Sequence, residues 1–351
     1  MTKVAIHVPE PIRGIEVHPF FSLHFGDKHR YSILFTNSWP ENFFEKGVQF
    51  SKPEISSAIV LPNNFKKIND DIRAYVKKYA DLGETLDKPV FLFSHGDFTH
   101  KLKFDPRVFV FRYSIYRSIA EPRDIMTPTL VEDLGRKGVS LRSKGETPVV
   151  SFCGQASFSS LRRWVGYFVK NFIWDIRALV KPVLRARKQG VYWRRKVIHI
   201  LRNQNLIRTN FIIRTSYSSN VKSIEVEANR ARKEFIESIV NSDFVLCPKG
   251  DGNYSNRFQE TLSLGRFPVY IETDSMLPFE NIVDYDSVVV RVPFNRIKEL
   301  SSTVLKFYKD LTEGEYLKRQ KRAREIFEKY LLPDSFYRRI FTEDLDRFGN
   351  G

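Results

Sequence analysis

The stretch Ser242–Glu260, SDFVLCPKGDGNYSNRFQE, constrains the fold more than any other part of this chain. Phe244, Val245, Leu246 and Cys247 form a short apolar run that reads as a buried strand and stops at Pro248. A loop with Gly250 and Gly252 follows, and a helix is predicted from Ser255 to a stop at Gly265, with a second strand at Phe267–Ile271. The first turn of such a helix, at Ser255 and Asn256, presents unpaired N–H groups and the positive end of the helix dipole, which together suit a phosphate. Arg257 adds a permanent, forked cation there, and Lys249 stands at the start of the loop. Glu260 lies three residues on from Arg257 on the same helical face, placed to accept hydrogen bonds from ribose hydroxyls. The order of strand, loop, short helix and strand is half of a nucleotide-binding α/β domain. The same residues also suit a plain turn followed by a solvated Arg–Glu pair. The loop is neither a Walker A loop, since no Gly-Lys-Ser/Thr closes it, nor a GxGxxG turn.

A chain of 351 residues exceeds the usual limit of one core, so two domains are expected. Strands are predicted at Val4–Val8, Tyr31–Thr36, Ser57–Leu61, Pro89–Phe93 and Val108–Tyr113, with a helix at Asp70–Leu82. These define an N-terminal α/β domain over 1–147, whose end, the glycine- and charge-rich 135–146, reads as a linker. The second domain, 148–332, is expected to hold strands Val149–Cys153, Val197–Ile200, Phe211–Arg214 and Val288–Val292 around the signature segment. Its helices are predicted at Ser223–Val240, Arg296–Lys309 and Glu313–Tyr330. A last helix, Pro333–Phe348, is expected to cross back to the first domain, making 333–351 a separate piece.

No run of about 18 apolar residues occurs, so no segment is expected to span a membrane. The opening MTKVAIHVPEP is too short in apolar residues for a signal peptide and reads as a first strand. Cys153 and Cys247, the only cysteines, both fall in predicted strands and read as buried, reduced residues of a cytoplasmic protein.

The net charge of +16 is concentrated. Between Phe158 and Arg208 stand 13 basic residues against Asp175 alone, interleaved with Trp164, Trp174, Trp193 and other aromatics. Apolar residues recur at helical spacing from Leu161 to Leu184, predicting one or two basic amphipathic helices. The pattern suits peripheral contact with anionic lipid, or a groove for an acidic acceptor. It also suits a packed helix with a solvated basic face. No nucleic-acid module accompanies the charge, so no nucleic-acid partner is expected.

The run Ser242–Val292 resembles the C-terminal signature of the exostosin family of glycosyltransferases. The resemblance is carried by Ser242, Phe244, Leu246, Pro248 and Gly250, by Ser255, Arg257 and Glu260, by Gly265, Pro268 and Val269, and by Leu277, Pro278 and Phe279. Upstream, Ser94-His95-Gly96-Asp97 is similar to a family Ser-His-Asp segment with one inserted glycine, Arg123–Pro128 to a Lys-Asp-Val-x-x-Pro, and Val149–Gly154 to the strand that opens the second half. The resemblance spans about residues 90–310, and the basic stretch 158–208 departs from it. It implies a GT-B type α/β fold, two nucleotide-binding-like domains facing a cleft. The implied activity is transfer of a hexose or pentose from a nucleoside-diphosphate sugar, a UDP-sugar first, to a glycan or glycolipid acceptor, with inversion, in cell-surface polysaccharide synthesis. Animal and plant members carry an N-terminal membrane anchor that is not seen here, which favours a bacterial or viral enzyme in the cytoplasm, peripheral to the membrane.

Lys249, Gly250, Ser255, Asn256 and Arg257 would then hold the diphosphate and Glu260 the ribose, in place of a metal. An inverting transfer also needs a base for the acceptor hydroxyl. Asp97 and His95 follow strand Pro89–Phe93, at the strand end where α/β sites gather, with His100 and Asp124 in reserve. Two Asp-x-Asp matches, Asp284/Asp286 and Asp344/Asp346, could suggest a metal. The first stands where the family has an aromatic anchor, and the second lies in a helix that turns its aspartates about 200° apart, so no metal cofactor is expected. The alternatives are a transferase of another activated group, such as a CMP-sugar or phosphosugar, and a non-catalytic polyanion-binding adaptor.

Overall fold

A computed structural model describes residues 3–22, 24–25, 48–216 and 227–348. The expected strand Tyr31–Thr36 lies outside the described residues. The chain forms two compact units: Met1–Leu130 with Met276–Phe279 and Lys329–Gly351, and Val131–Ser275 with Glu280–Glu328.

The first unit holds six strands, β1 (Val4–His7), β2 (Val48–Phe50), β3 (Ala58–Asn64), β4 (Val90–Phe93), β5 (Phe109–Arg112) and β6 (Asp124–Met126). They pair in the order β2-β1-β3-β4-β5-β6, parallel throughout. Every residue of β3, β4 and β5 is buried, which explains their continuous apolar runs: a parallel sheet is covered on both faces. Alternation sorts the side chains. Ile59, Leu61, Val90, Leu92, Val108 and Val110 pack with Ile72, Val76 and Ala80 of α2 (Asp70–Thr85). Phe91, Phe93, Phe109 and Phe111 point the other way, onto Phe336, Tyr337, Ile340 and Phe341 of the C-terminal helix α9 (Pro333–Thr342). The short helix α1 (Pro19–Ser22) adds Phe20 and Phe21 to that second cluster. Phe279 also joins it, its ring centroid 4.8 Å from that of Phe336.

The second unit holds β7 (Val149–Gln155), β8 (Arg208–Arg214), β9 (Phe244–Cys247), β10 (Phe267–Glu272) and β11 (Val290–Pro293), all parallel in the order β11-β10-β9-β7-β8. Its helices are α3 (Leu161–Val180), α4 (Gly190–Arg202), α5 (Ala228–Val240), α6 (Asn256–Ser263), α7 (Leu300–Lys309) and α8 (Glu313–Ile326). Thr312 and Glu315 close a reciprocal capping box at the start of α8.

Two expectations need correction. The run Val197–Ile200 is not a strand but part of α4, because Trp193, Val197 and Leu201 recur four residues apart and are all fully buried. Residues 135–146 are not a linker but part of the second unit. The Arg142 N–H donates to Gln320 Oε1 at 2.9 Å, Gln320 Nε2 donates back to the Arg142 carbonyl at 2.7 Å, and Arg142 Nε donates to Asp243 at 2.8 Å. Asp243, which is buried, also accepts from the Val149 N–H and the Tyr316 hydroxyl. Charges that look solvated in sequence are here used to tie loop to sheet. Asp124, held in reserve as a base, is likewise occupied: Arg112 Nε donates to it at 2.5 Å, in a pair buried on both sides.

Candidate functional site

The strand order of the second unit fixes where a ligand can sit. Counted along the chain, its strands run 2-1-3-4-5, so successive connections leave β7 and β9 in opposite directions. In open parallel sheets, that switch leaves a crevice at the C-terminal ends of the two strands, and ligands bind there. β7 ends at Gly154 and Gln155, and β9 ends at Cys247 and leads into Pro248 and Lys249.

The expected phosphate loop stands at that point. β9 is buried along its length, the Gly250 N–H closes the loop by donating to the Tyr254 carbonyl at 2.7 Å, and α6 begins after Ser255. Ser255 makes no side-chain cap on the helix, so the first N–H groups of α6 keep their need for an acceptor. Arg257 reaches from the first turn of α6 to the end of β7, where Nη2 donates to the Cys153 carbonyl at 2.8 Å. Its guanidinium carbon lies 4.5 Å from the centre of the Phe152 ring, and its buried Nε has no hydrogen-bond partner. Asn256 Oδ1 is a second buried atom with no partner.

Two glycines make room for this arrangement. Gly154 adopts φ +151°, and a Cβ there would lie 2.8 Å from Arg257 Nη2. Gly190, the first residue of α4, would carry a Cβ 2.2 Å from the Gly250 carbonyl oxygen. The start of α4 therefore rests directly on the loop that follows β9.

That packing brings in cations that strand-and-loop reasoning missed. Arg194 of α4 is buried, with Nη1 donating to the Gln155 carbonyl at 3.2 Å. Burial, and then the neighbouring Arg194, lower the pKa of Arg257. Lys249 is buried too, with Nζ donating to the Ala186 carbonyl at 2.8 Å. Burial, and then Arg187, pull its pKa down to about 7. The visible signal for Arg187 and Arg194 was the basic run 158–208, whose inner half is spent here and not on a surface. The sequence readings of this stretch are contact with anionic lipid, a groove for an acidic acceptor, or a packed helix with a solvated basic face. In fact Lys188, Trp193 and Arg194 are buried, because α4 packs against this loop.

Glu260 is buried, and Oε1 accepts from Arg232 Nη1 at 2.7 Å, while Arg232 also meets Glu132 at 3.1 Å. With that carboxylate held by Arg232, the crowding of Arg187, Arg194, Lys249 and Arg257 calls for an anion.

In the first unit, His95 follows β4 and is buried, whereas Asp97 is exposed. Both backbone groups of His95 are held by Asn64: Oδ1 accepts from its N–H at 2.8 Å and Nδ2 donates to its carbonyl at 3.1 Å. Its ring joins a directional chain. The Phe20 N–H donates to His18 Nδ1, His18 Nε2 meets His95 Nδ1 at 2.9 Å, His95 Nε2 meets Thr127 Oγ1 at 3.1 Å, and Thr127 donates to the Arg112 carbonyl. Each proton has one place in that chain if both rings are neutral. Burial lowers the pKa of both histidines accordingly, to about 3 for His18. His95 thus has both ring nitrogens committed and fixes the segment that carries Asp97. His18 gave no sequence signal, being an isolated histidine far from the motif.

Asp284 and Asp286 are exposed, whereas Asp344 is buried between Arg339, at 2.8 Å, and Arg347, at 3.3 Å. Among the described residues no group of three or more His, Cys, Asp or Glu is placed to hold a metal. Cys153 and Cys247 are both free thiols buried in β7 and β9.

Residues 147–307 match the exostosin GT47 domain. Over 104 residues the chain is 34% identical to an exostosin-1 homolog of Caenorhabditis elegans, a stretch covering 28% of this chain and 25% of that protein. It is 26% identical over 101 residues to a probable glycosyltransferase of Arabidopsis thaliana, covering 29% and 21% of the two chains. The chain thus matches about a quarter of the length of these relatives. Among solved structures, Staphylococcus aureus TarM aligns with 83% of this chain and 56% of its own, at 8% identity and a TM-score of 0.36. A glycosyltransferase from Rickettsia africae aligns with 99% of this chain and 98% of its own, at 10% identity and a TM-score of 0.33. Two separate parallel α/β sheets are the element content expected of the GT-B class. The strand, loop and helix that gather the cations fall inside the segment that matches the exostosin GT47 domain, so the second half of the chain is similar to that glycosyltransferase family.

Proposed function

We propose that this protein transfers a sugar from a nucleoside diphosphate sugar, a UDP-sugar first, to a glycan or glycolipid acceptor with inversion, in cell-surface polysaccharide synthesis. The observation that carries the reading is the gathering of Lys249, Arg257 and Arg194 with the uncapped start of α6 at the β7/β9 switch. As the bond from the sugar to the diphosphate breaks, negative charge grows on the leaving phosphate, and donors fixed in advance hold it without reorganisation. Arg257 is oriented for this by the Cys153 carbonyl and the Phe152 ring. Glu260, steadied by Arg232, is assigned to the ribose, and Asp97 to the proton of the acceptor hydroxyl, with His95 positioning it. Under this reading the cations take the place of a metal.

Thermal melting of the purified protein with UDP, GDP and CMP tests this. A ligand that binds only the folded state raises the melting temperature. Stabilisation by UDP or GDP, lost in Arg257→Ala, is expected. Stabilisation by CMP alone would favour transfer of another activated group, and no response to any nucleotide would favour the polyanion-binding adaptor.

A further inference from the structure

Helix α3 is amphipathic the opposite way from a helix that serves only its own core. Leu161, Val165, Phe168, Phe172, Ile176 and Leu179 recur at spacings of four, three, four, four and three, which is one face of a helix. That face is turned outward, with the six side chains between 46% and 80% exposed. The inner face is narrow and is anchored by one amide. Asn171 is buried and latches the helix to the following segment, its Nδ2 donating to Gln189 Oε1 at 3.2 Å and its Oδ1 accepting from the Gln189 N–H at 3.0 Å. Tyr167, Trp174 and Ala178 fill the rest of that inner face.

We propose that the outward face of α3 lies in the headgroup region of an anionic phospholipid bilayer. Val169, Ile173 and Val180, also exposed, widen that face toward an exposed row of Arg163, Lys170 and Arg177 standing seven residues apart, where headgroup phosphates meet a helix lying in the interface. The one acid of the stretch, Asp175, is neutralised by Lys188 at 2.6 Å and Arg185 at 3.5 Å. Trp164, Phe168 and Phe172 form a ladder with ring centroids 6.0 and 6.4 Å apart, and aromatic rings favour the boundary of headgroup and acyl chain. No helix among the described residues is long and apolar enough to cross a membrane, so α3 lies on the bilayer and does not span it. Charge decides against a second copy of the chain as the occupant. Pairing this face with itself would bring together two molecules of net charge +16, whereas an anionic surface lowers that repulsion.

The proposal is independent of the sugar-transfer reading and confines the contact to 161–180, leaving α4 inside. The test uses the full chain and vesicles of phosphatidylcholine alone or mixed equally with phosphatidylglycerol, followed by co-sedimentation, Trp164 fluorescence and light scattering. The wild type is expected to sediment with the mixed vesicles and to show a blue shift in emission that Trp164→Phe removes. Phe168→Ser/Phe172→Ser/Ile176→Ser is expected to lower partitioning at least tenfold while keeping the melting temperature and the response to nucleotide, since all three side chains are exposed. Lys170→Gln/Arg177→Gln should lower partitioning by about fivefold for each charge at low salt. Equal partitioning of wild type and the triple variant would overturn the proposal. So would a wild-type dimer that the triple variant dissolves without any vesicle binding, which would make the face a contact between copies.

Discussion

At the residue scale, the site depends on a few positions whose roles differ in how far the sequence shows them. Arg257 and Glu260 were legible because a cation and a carboxylate three apart at a helix start form a pattern. Gly154 was legible only as a strand-ending glycine. Its φ of +151° and the 2.8 Å from a Cβ to Arg257 Nη2 emerge only when β7 and α6 are brought together. Gly154→Ala is therefore expected to weaken nucleotide binding through a displaced guanidinium and to lower stability by about 1–3 kcal/mol through a strained backbone. Titration calorimetry would read the first and thermal melting the second. Lys249 gives a second prediction. Its pKa, pulled down from the ordinary lysine value of 10.5 to about 7, means that the free protein holds Lys249 partly neutral at physiological pH. A bound diphosphate favours the charged form and pulls a proton in. Nucleotide affinity should therefore be flat with respect to this group below about pH 7 and fall by up to tenfold per pH unit above it. Calorimetry at pH 8 in buffers of different ionisation enthalpy should show proton uptake that Lys249→Met abolishes. The same depression means that Lys249 removes stability as pH falls from the unfolded value toward 7, and no more below that.

At the element scale, strands and helices with one clear period were legible, and segments that mix periods were not. β3, β4 and β5 announced themselves as apolar runs because both sheet faces are covered. The run at Val197–Ile200 looked the same over four residues, and only its register with Trp193 and Leu201 marks it as helix. β2 and β6, three residues each, are too short to leave a period at all. The abundance of phenylalanine, 30 in the chain, finds part of its reason in β4 and β5. Phe91 and Phe111 stack at 5.3 Å between the sheet and α9, and neither is exposed. Phe111→Ala should lower stability by about 3–5 kcal/mol, as loss of a buried aromatic does, measured by denaturant unfolding of the whole chain. A smaller loss, below about 1 kcal/mol, would mean that the sheet and α9 repack freely at that position.

At the scale of the whole molecule, the sequence carried the class of fold but not which distant pieces share a core. Residues 276–279 and 329–351 belong with the first 130 residues, a grouping no local pattern reports, since Phe279 and Phe336 pack against strands some 200 positions away. The same holds for Arg187 and Arg194, which lie roughly sixty residues before the loop they support and were read as surface charge. With the cations as the partner of the leaving diphosphate, sugar transfer should survive a chelator. Complete loss of activity in EDTA, restored by manganese or magnesium, would return the exposed Asp284 and Asp286 to the site. The most direct test of the central claim is calorimetric titration of UDP and GDP into the wild type, Arg257→Ala and Arg194→Ala, since Arg194 enters from structure alone. One of the two nucleotides is expected to bind the wild type, and each variant is expected to weaken it at least tenfold, about 1.4 kcal/mol or more, as the loss of a charge-assisted contact does. Unchanged affinity in both variants would place the nucleotide elsewhere and contradict the assignment of the β7/β9 switch as the donor site.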